Sequence, residues 1–238
     1  MISMNFKKER KGGFTLLELL IVVSIIAILS VALIFVINPA ETLKKSRDAN
    51  RISDLSAMKT ALGLYTTSTT TPYLGGLASN NGCKSAPTSA WVGAGTPKIF
   101  YSLPGASAVT DTSLDNSTGI TVASSTATAT YTLTDGTGWI PVNFDSLIGG
   151  SPISNLPIDP VNSLGTDTAA SISTSTLAYR YACSITPLAY EIDAVFESGT
   201  YTTGSDNKLL KDGGDSDNYY EVGTNLRILG VGTSTVMF

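Results

Sequence analysis

The residue types best suited to holding a ligand lie near the C-terminus, where acidic side chains follow one another closely. Carboxylate and amide oxygens are the ligands that Ca²⁺ prefers, and the paired glycines at 213 and 214 let the backbone curve around an ion. The spacing does not match the D-x-[DN]-x-[DN]-G loop, so a solvated acidic turn is the alternative. The candidate calcium ligands are Asp212, Asp215, Asp217 and Asn218, and no other cofactor is expected.

Few residue types and motifs in this chain are suited to catalysis. None of its 238 residues is a histidine, which removes the commonest general base and any Ser-His-Asp or Cys-His arrangement. Neither a nucleophile elbow nor a phosphate loop occurs. The net charge of -4 also argues against a basic nucleic-acid binder, and no nucleic-acid site is evident. The chain is therefore not expected to be an enzyme, although a membrane-anchored enzyme or binding protein stays the alternative from a different class.

The only two cysteines, Cys83 and Cys183, are too few for a four-thiolate metal site. In an exported chain they favour one disulfide, which would close a loop of about 100 residues. Two free thiols are the alternative.

A single carboxylate, Glu18, interrupts an otherwise uncharged run from Phe14 to Ile37. A helix of that length spans about 36 Å, enough to cross a hydrocarbon core of about 30 Å. The preceding bases favour a cytoplasmic N-terminus in the cytoplasmic membrane, with the chain beyond Asn38 on the outer side. These bases are Lys7, Lys8, Arg10 and Lys11.

The small residues Gly12 and Gly13 lie before the apolar run, whereas a secretory signal peptide has its small residues after a shorter run. Cleavage after Gly13 would leave the apolar helix on the mature chain and create an amine at Phe14. Because a carboxylate inside a membrane helix costs roughly 2.5 to 3.5 kcal/mol, Glu18 needs a partner. An amine on an adjacent subunit would supply one.

The stretch from Lys11 to Val23, K-G-G-F-T-L-L-E-L-L-I-V-V, resembles the class III signal and first helix of type IV pilins and of the pseudopilins of type II secretion systems. The resemblance implies that a prepilin peptidase cleaves between Gly13 and Phe14 and methylates the new amine. It also implies that Glu18 guides docking into a homopolymer at an inner-membrane assembly platform. An ordinary single-pass anchor is the alternative.

The resemblance implies an α+β pilin fold, in which a long N-terminal helix packs on a small antiparallel sheet. We predict a leader at 1–13, a membrane or filament-core helix at 14–38, an amphipathic helix at 39–65 and a β-rich outer domain at 66–238. Asn38-Pro39 predicts an interruption between the helices.

In the second helix, an apolar stripe is predicted at Leu43, Ile52, Leu55, Met58, Leu62 and Tyr65. Its charged residues, including Asp48 and Arg51, are expected largely off that stripe.

Alternation predicts a hairpin between 177–183 and 189–197, with its acidic residues directed to solvent or to an adjacent subunit. Those acids are Glu191, Asp193 and Glu197.

The segment Leu156-Pro157-Ile158-Asp159-Pro160 partly resembles an L-P-x-D-P loop of the major type II pseudopilins. The long Thr/Ser-rich region instead favours a type IV pilus subunit that serves adhesion, motility or DNA uptake. The sequence hypothesis is thus a pilus-like subunit that ends in a surface filament, with a major secretion pseudopilin as the alternative.

Overall fold

The computed structural model describes residues 12–89, 97–103, 108–111, 120–122, 130–162 and 169–229. Most of the predicted leader therefore lies outside the described residues. The chain divides into two compact units, Met1–Thr42 and Leu43–Phe238.

The first unit contains helix α1, Leu16–Ile37. Within the described residues, α1 is the one helix long and apolar enough to cross a membrane, and none of its Leu16–Leu33 stretch is buried by the protein. The hydroxyl groups of Ser24 and Ser30 donate to carbonyls four residues earlier, at 2.7 Å each, so these polar groups are satisfied within the helix. The surface of α1 therefore suits lipid or other apolar helices.

Helix α1 ends where Asn38 adopts a left-handed conformation, with φ 43° and ψ 75°. The next helix, α2, begins at once with Pro39 and runs to Ser68. Proline is well suited to a first helical position because its missing N–H would be unsatisfied there anyway. The predicted interruption at Asn38-Pro39 is present.

The described residues of the second unit form two sheets. Their strands, in chain order, are β1 (Phe100–Tyr101), β2 (Ala108–Asp111), β3 (Ile120–Val122), β4 (Ala169–Ile172), β5 (Tyr179–Ser184), β6 (Ala189–Ala194) and β7 (Tyr220–Gly223). The larger sheet has the order β1-β5-β6-β7 and is antiparallel throughout. The smaller has the order β3-β2-β4, with β2 and β4 parallel. A short helix α3, Gly199–Thr202, follows β6.

The main core lies between α2 and one face of the larger sheet. Helix α2 contributes Leu55, Met58, Leu62 and Tyr65, which confirms the C-terminal part of the predicted stripe. Leu43, in contrast, is 61% exposed. The predicted hairpin is confirmed as β5 and β6, and β6 presents Tyr190, Ile192 and Ala194 to this core.

The opposite face of the larger sheet is also buried, under apolar residues that include Ile99, Ile172, Ile228 and Leu229. The expectation that the hairpin's acids reach solvent is therefore wrong. Glu191 and Asp193 are at most 1% exposed, and the side chain of Glu197 is 13% exposed. Alternation placed the first two on the correct face of β6, but it did not show that a second layer covers that face.

Cys83 and Cys183 form a disulfide that joins the segment after α2 to β5. Backbone hydrogen bonds continue the connection: Lys84 N–H donates to the Cys183 carbonyl and Ile185 N–H donates to the Lys84 carbonyl, each at 2.8 Å. The segment after α2 is thereby attached to β5, an inner strand of the larger sheet.

Candidate functional site

The peptide bond between Gly13 and Phe14 lies in a non-helical segment immediately before α1. Phe14 is 89% exposed, and no heavy atom lies within 4 Å of a Cβ built on Gly12 or Gly13. Exposed segments with small residues are readily admitted to a protease, because little structure has to be displaced. The segment is thus accessible at the position where cleavage is predicted.

The carboxylate of Glu18 lies at the N-terminus of α1 and is held there by Thr15. Its Oε2 atom accepts hydrogen bonds from the Thr15 amide and hydroxyl groups, each at 2.9 Å, while Thr15 Oγ1 accepts from the Glu18 amide at 3.2 Å. This capping box satisfies donors that a helix N-terminus otherwise leaves unpaired. Thr15 is not among the predicted site residues, although the T-x-x-E pattern before an apolar run signals such a cap.

An arginine clamp connects α2 to two later segments of the domain. Arg51 donates through Nε and Nη2 to the two oxygens of Asp159, at 2.6 and 2.9 Å, and through Nη1 to Asp48 and Glu197, at 2.7 and 2.9 Å. Arg47 adds two hydrogen bonds to Glu197, at 2.7 and 2.8 Å. We call Arg47, Asp48, Arg51, Asp159 and Glu197 the arginine clamp.

Backbone amides complete the clamp. Asp48 accepts from the amides of Glu197 and Ser198, and Asp159 accepts from the amide of Val161 at 2.8 Å. Hydrogen bonds from Arg47 lower the pKa of Glu197 to about 2. The prediction that the α2 charges lie off the buried stripe is therefore wrong for Asp48 and Arg51, which are fully buried. Their burial is possible because every charge has a bonded counter-charge.

A second ionic group, the outer-face cluster, lies under the opposite face of the sheet. It comprises Lys84, Asp111, Arg180, Glu191, Asp193 and Glu221, all buried. Arg180 forms ion pairs with Asp193 and with Asp111, the latter at 3.1 Å. The Tyr219 ring centroid lies 3.7 Å from the Arg180 guanidinium carbon, and the Tyr101 hydroxyl donates to Asp111 at 2.8 Å.

Glu191, Glu221 and Lys84 complete this cluster, and the two glutamates are neighbouring buried carboxyl groups. Burial, and for Glu221 the neighbouring carboxyl group, raise both pKa values; that of Glu191 rises to about 7. Glu191 Oε2 also accepts from the amides of Ile228 and Leu229, at 2.7 and 2.9 Å. Burial lowers the pKa of Lys84 to about 8.

The candidate calcium ligands are distributed along an exposed turn before β7. Asp212 directs its two oxygens to the amides of Gly214 and Glu221, at 2.9 Å each. Asp215, Asp217 and Asn218 are exposed. Among the residues that the structure describes, no three His, Cys, Asp or Glu side chains converge in a way suited to a metal ion. Calcium binding stays a prediction.

The N-terminal segment has a counterpart among known families. A family model described as the prokaryotic N-terminal methylation motif matches residues 9–34. This motif is the prepilin-type cleavage and methylation segment of type IV pilins and pseudopilins, which are structural proteins. No curated protein and no solved structure gives a significant match to the chain.

The match confirms the resemblance drawn from Lys11 to Val23, and the chain carries a prepilin-type segment. The apolar α1, the helix α2 and the four-stranded antiparallel sheet have the α+β architecture of a pilin fold, as expected. The motif covers the membrane-spanning candidate and the cleavage position, and it ends before α2.

Proposed function

We propose that this chain is a structural subunit of a type IV pilus-like filament. It enters the cytoplasmic membrane through α1 with its N-terminus in the cytoplasm. A prepilin peptidase then cleaves after Gly13 and methylates the amine of Phe14, and an inner-membrane assembly platform adds the subunit to a surface filament. The observation that carries this proposal is the methylation motif at residues 9–34, which ends within a helix whose apolar side chains are uncovered.

Assembly would move α1 from lipid into a bundle of identical helices. The exposed apolar residues occur all around α1, so a subunit can contact several neighbours at once. A contact between different surfaces of identical subunits that does not close into a ring produces a fibre. Helix packing alone therefore accounts for polymerisation, and chemistry on a small molecule is not required.

Glu18 would set the register of that packing. In the isolated chain its carboxylate accepts hydrogen bonds from the Thr15 amide and hydroxyl groups, so its acceptor atoms are partly satisfied while its charge has no counter-charge. Cleavage creates a cationic amine on Phe14, and such an amine on a neighbour attracts the carboxylate strongly in a region that water does not reach. A single charge pair in an apolar bundle defines one relative position of the helices.

The first test is the mass of the N-terminal peptide of the protein extracted from membranes of cells with an intact processing system. We expect a peptide that begins with Phe14 and carries one added methyl group. A peptide that begins with Met1, or a mature chain from which α1 has been removed, contradicts the proposal.

The second test separates insertion from assembly. Glu18→Val should leave membrane insertion intact and lower filament yield at least about tenfold, the factor that corresponds to a lost interaction of 1.4 kcal/mol. Ser24→Val is the matched control, because it removes a polar group from the same helix that is already satisfied by the Leu20 carbonyl. Equal filament yields from the two variants would remove the docking role of Glu18.

A major pseudopilin of a type II secretion system is the second candidate, and the L-P-x-D-P segment favours it. Asp159 of this segment forms the bidentate ion pair with Arg51, so the segment contributes to the buried contacts of the domain. Deletion of the gene distinguishes the two. Loss of surface filaments with normal protein secretion supports the pilus, whereas retention of secreted enzymes in the cell envelope supports the pseudopilin.

A further inference from the structure

A short segment after β7 covers part of the face of the larger sheet that is opposite α2. Residues 226–229 belong to no helix or strand. Ile228 and Leu229 are at most 1% exposed, and they belong to the apolar cluster on this face together with residues such as Ile172 and Ala182. We call residues 226–229 the strap.

Two ionisable side chains attach the strap to the domain. Glu191 Oε2 accepts hydrogen bonds from the amides of Ile228 and Leu229, at 2.7 and 2.9 Å, and Lys84 Nζ donates to the Ile228 carbonyl at 2.9 Å. Apart from one bond to the residue before it, the strap has no other hydrogen bond to the described residues. Its polar attachment therefore depends on groups that titrate, whereas a strand is held by backbone groups that do not.

The Glu191 carboxyl group lies where a negative charge is costly. Its Oε1 atom is buried and has no hydrogen-bond partner in the part of the chain that the structure describes. Burial and the negative charge of Asp193 raise the pKa of Glu191, against the amide bonds from the strap, and the result is a pKa of about 7. Near neutral pH the strap thus covers a carboxylate that water would stabilise.

The other charged groups around Glu191 keep their state below pH 7.5. Burial and the neighbouring Glu191 raise the pKa of Glu221, on β7, to about 11. Burial lowers the pKa of Lys84 to about 8, although Glu191 and Asp215 attract its charge. Asp193, on β6 like Glu191, is ion-paired with an arginine. Glu191 is therefore the group whose titration should act on the strap in this range.

We propose that the strap opens from the sheet as the pH rises from 5 to 7.5, while the rest of the domain stays folded. At pH 5 Glu191 is neutral and stays buried under the strap. At pH 7.5 it is ionised, and opening lets water reach both of its oxygens. The closed form holds the proton more tightly than the open form, so a rise in pH favours opening.

Above pH 8 Lys84 acts in the opposite direction, because the closed form favours its neutral amine. Opening would uncover apolar residues of two strands, Ile172 of β4 and Ala182 of β5. The inference concerns the outer domain alone and does not depend on filament formation.

Hydrogen exchange of the full-length chain in detergent micelles tests the proposal. Protection factors of single amides are measured by mass spectrometry with electron-transfer fragmentation, and they are corrected for the intrinsic effect of pH on exchange. We expect opening of the strap, read from the amides of Ile228 and Leu229, to increase about 50-fold between pH 5 and pH 7.5. This factor corresponds to a Glu191 pKa that falls from about 7 to the ordinary glutamate value on opening.

The amides of β5 separate strap opening from unfolding of the whole domain. The strap amides should be at least about tenfold less protected than those of β5 at every pH. Low concentrations of denaturant should accelerate exchange in β5 and leave exchange in the strap unchanged, because a local opening exposes little surface. Equal protection of the strap and β5 throughout the range overturns the proposal, since the strap then opens only when the domain unfolds.

Glu191→Gln assigns the pH dependence. The amide oxygen still accepts hydrogen bonds from the strap but does not titrate, so opening should change by less than about threefold over the same range. Asp145→Asn is the matched control, because Asp145 is an exposed acid that accepts from Thr134 outside the strap, and it should behave as wild type. An equal pH dependence in Glu191→Gln and wild type overturns the proposal. Opening of the wild-type strap that does not change with pH also overturns it, even if the variant does not fold.

Discussion

Two buried ionic groups, the arginine clamp and the outer-face cluster, lie on opposite sides of the larger sheet. They differ in how their buried acids are compensated. The arginine clamp on the helix side sets two arginines against three acids, all of which accept from a guanidinium group. The outer-face cluster sets Arg180 and Lys84 against four acids, and the arginine forms ion pairs with Asp111 and Asp193. Glu191 and Glu221 form no ion pair with that arginine, and burial raises the pKa of both.

The difference shows that the partner decides the protonation state of a buried acid. Hydrogen bonds from Arg47 keep the pKa of Glu197 at about 2, whereas burial raises that of Glu191 to about 7. A glutamate whose pKa is lowered by folding stabilises the fold at pH values above the ordinary glutamate pKa, and this stabilisation is lost in acid. A glutamate whose pKa is raised by folding stabilises the fold at pH values below the ordinary glutamate pKa, and this stabilisation is lost as the pH rises towards the raised pKa. The arginine clamp should thus lose its contribution to stability at low pH, and the outer-face cluster should lose its contribution as the pH rises.

The largest expected effect comes from breaking the clamp. Arg51→Met leaves the carboxylates of Asp48 and Asp159 buried without their main counter-charge, which costs about 3 to 5 kcal/mol of unfolding free energy. Chemical denaturation of the full-length chain in detergent at pH 7 measures it. Lys59→Met is the control, since Lys59 is an exposed residue of the same helix. If Arg51→Met lowers the free energy of unfolding by less than about 1 kcal/mol, the fold does not depend on the arginine clamp.

An intermediate effect comes from titrating the outer-face cluster. Between pH 5 and pH 7.5 the free energy of unfolding should fall by an amount on the order of 2 kcal/mol, because the buried carboxyl group of Glu191, with its pKa raised to about 7, loses its proton in this range. Above that window Lys84, with its pKa of about 8, acts in the opposite direction because its neutral form is favoured by burial.

Glu221→Gln sharpens this prediction, because an amide donates a hydrogen bond to Glu191 without titrating. The variant should lose most of the decline between pH 5 and pH 7.5, while the loss of stability below pH 4.5, to which Glu197 contributes, should persist. An unchanged decline in the variant assigns the pH dependence to other groups.

The smallest expected effect concerns calcium. Binding by Asp212, Asp215, Asp217 and Asn218 predicts a melting temperature that falls when a chelator is added and recovers with excess Ca²⁺. Because Asp212 also accepts from the amide of Glu221, such an ion would influence the edge of the outer-face cluster. Identical melting temperatures with and without chelator contradict the calcium prediction.

The predictable parts of this molecule are those in which neighbouring residues carry the whole signal. The interruption at Asn38-Pro39 follows from the chemistry of two adjacent residues, and the β5–β6 hairpin follows from alternation within one short stretch. The burial of Glu191 and Asp193 could not be foreseen in this way. It depends on a covering layer that includes Ile172 of β4 and the segment of Ile228 and Leu229, which local periodicity does not contain.

The sequence by itself determined α1 and its processing segment, because the bases, the glycines, Phe14, Glu18 and the apolar run are contiguous. Each acts through local chemistry, and the methylation motif at residues 9–34 covers the glycines, Phe14, Glu18 and most of the apolar run. Tertiary structure alone decided the two ionic groups. Arg51 meets Asp159 and Glu197 across 108 and 146 residues of chain, and a charged side chain is stable in the interior only where folding brings its partner.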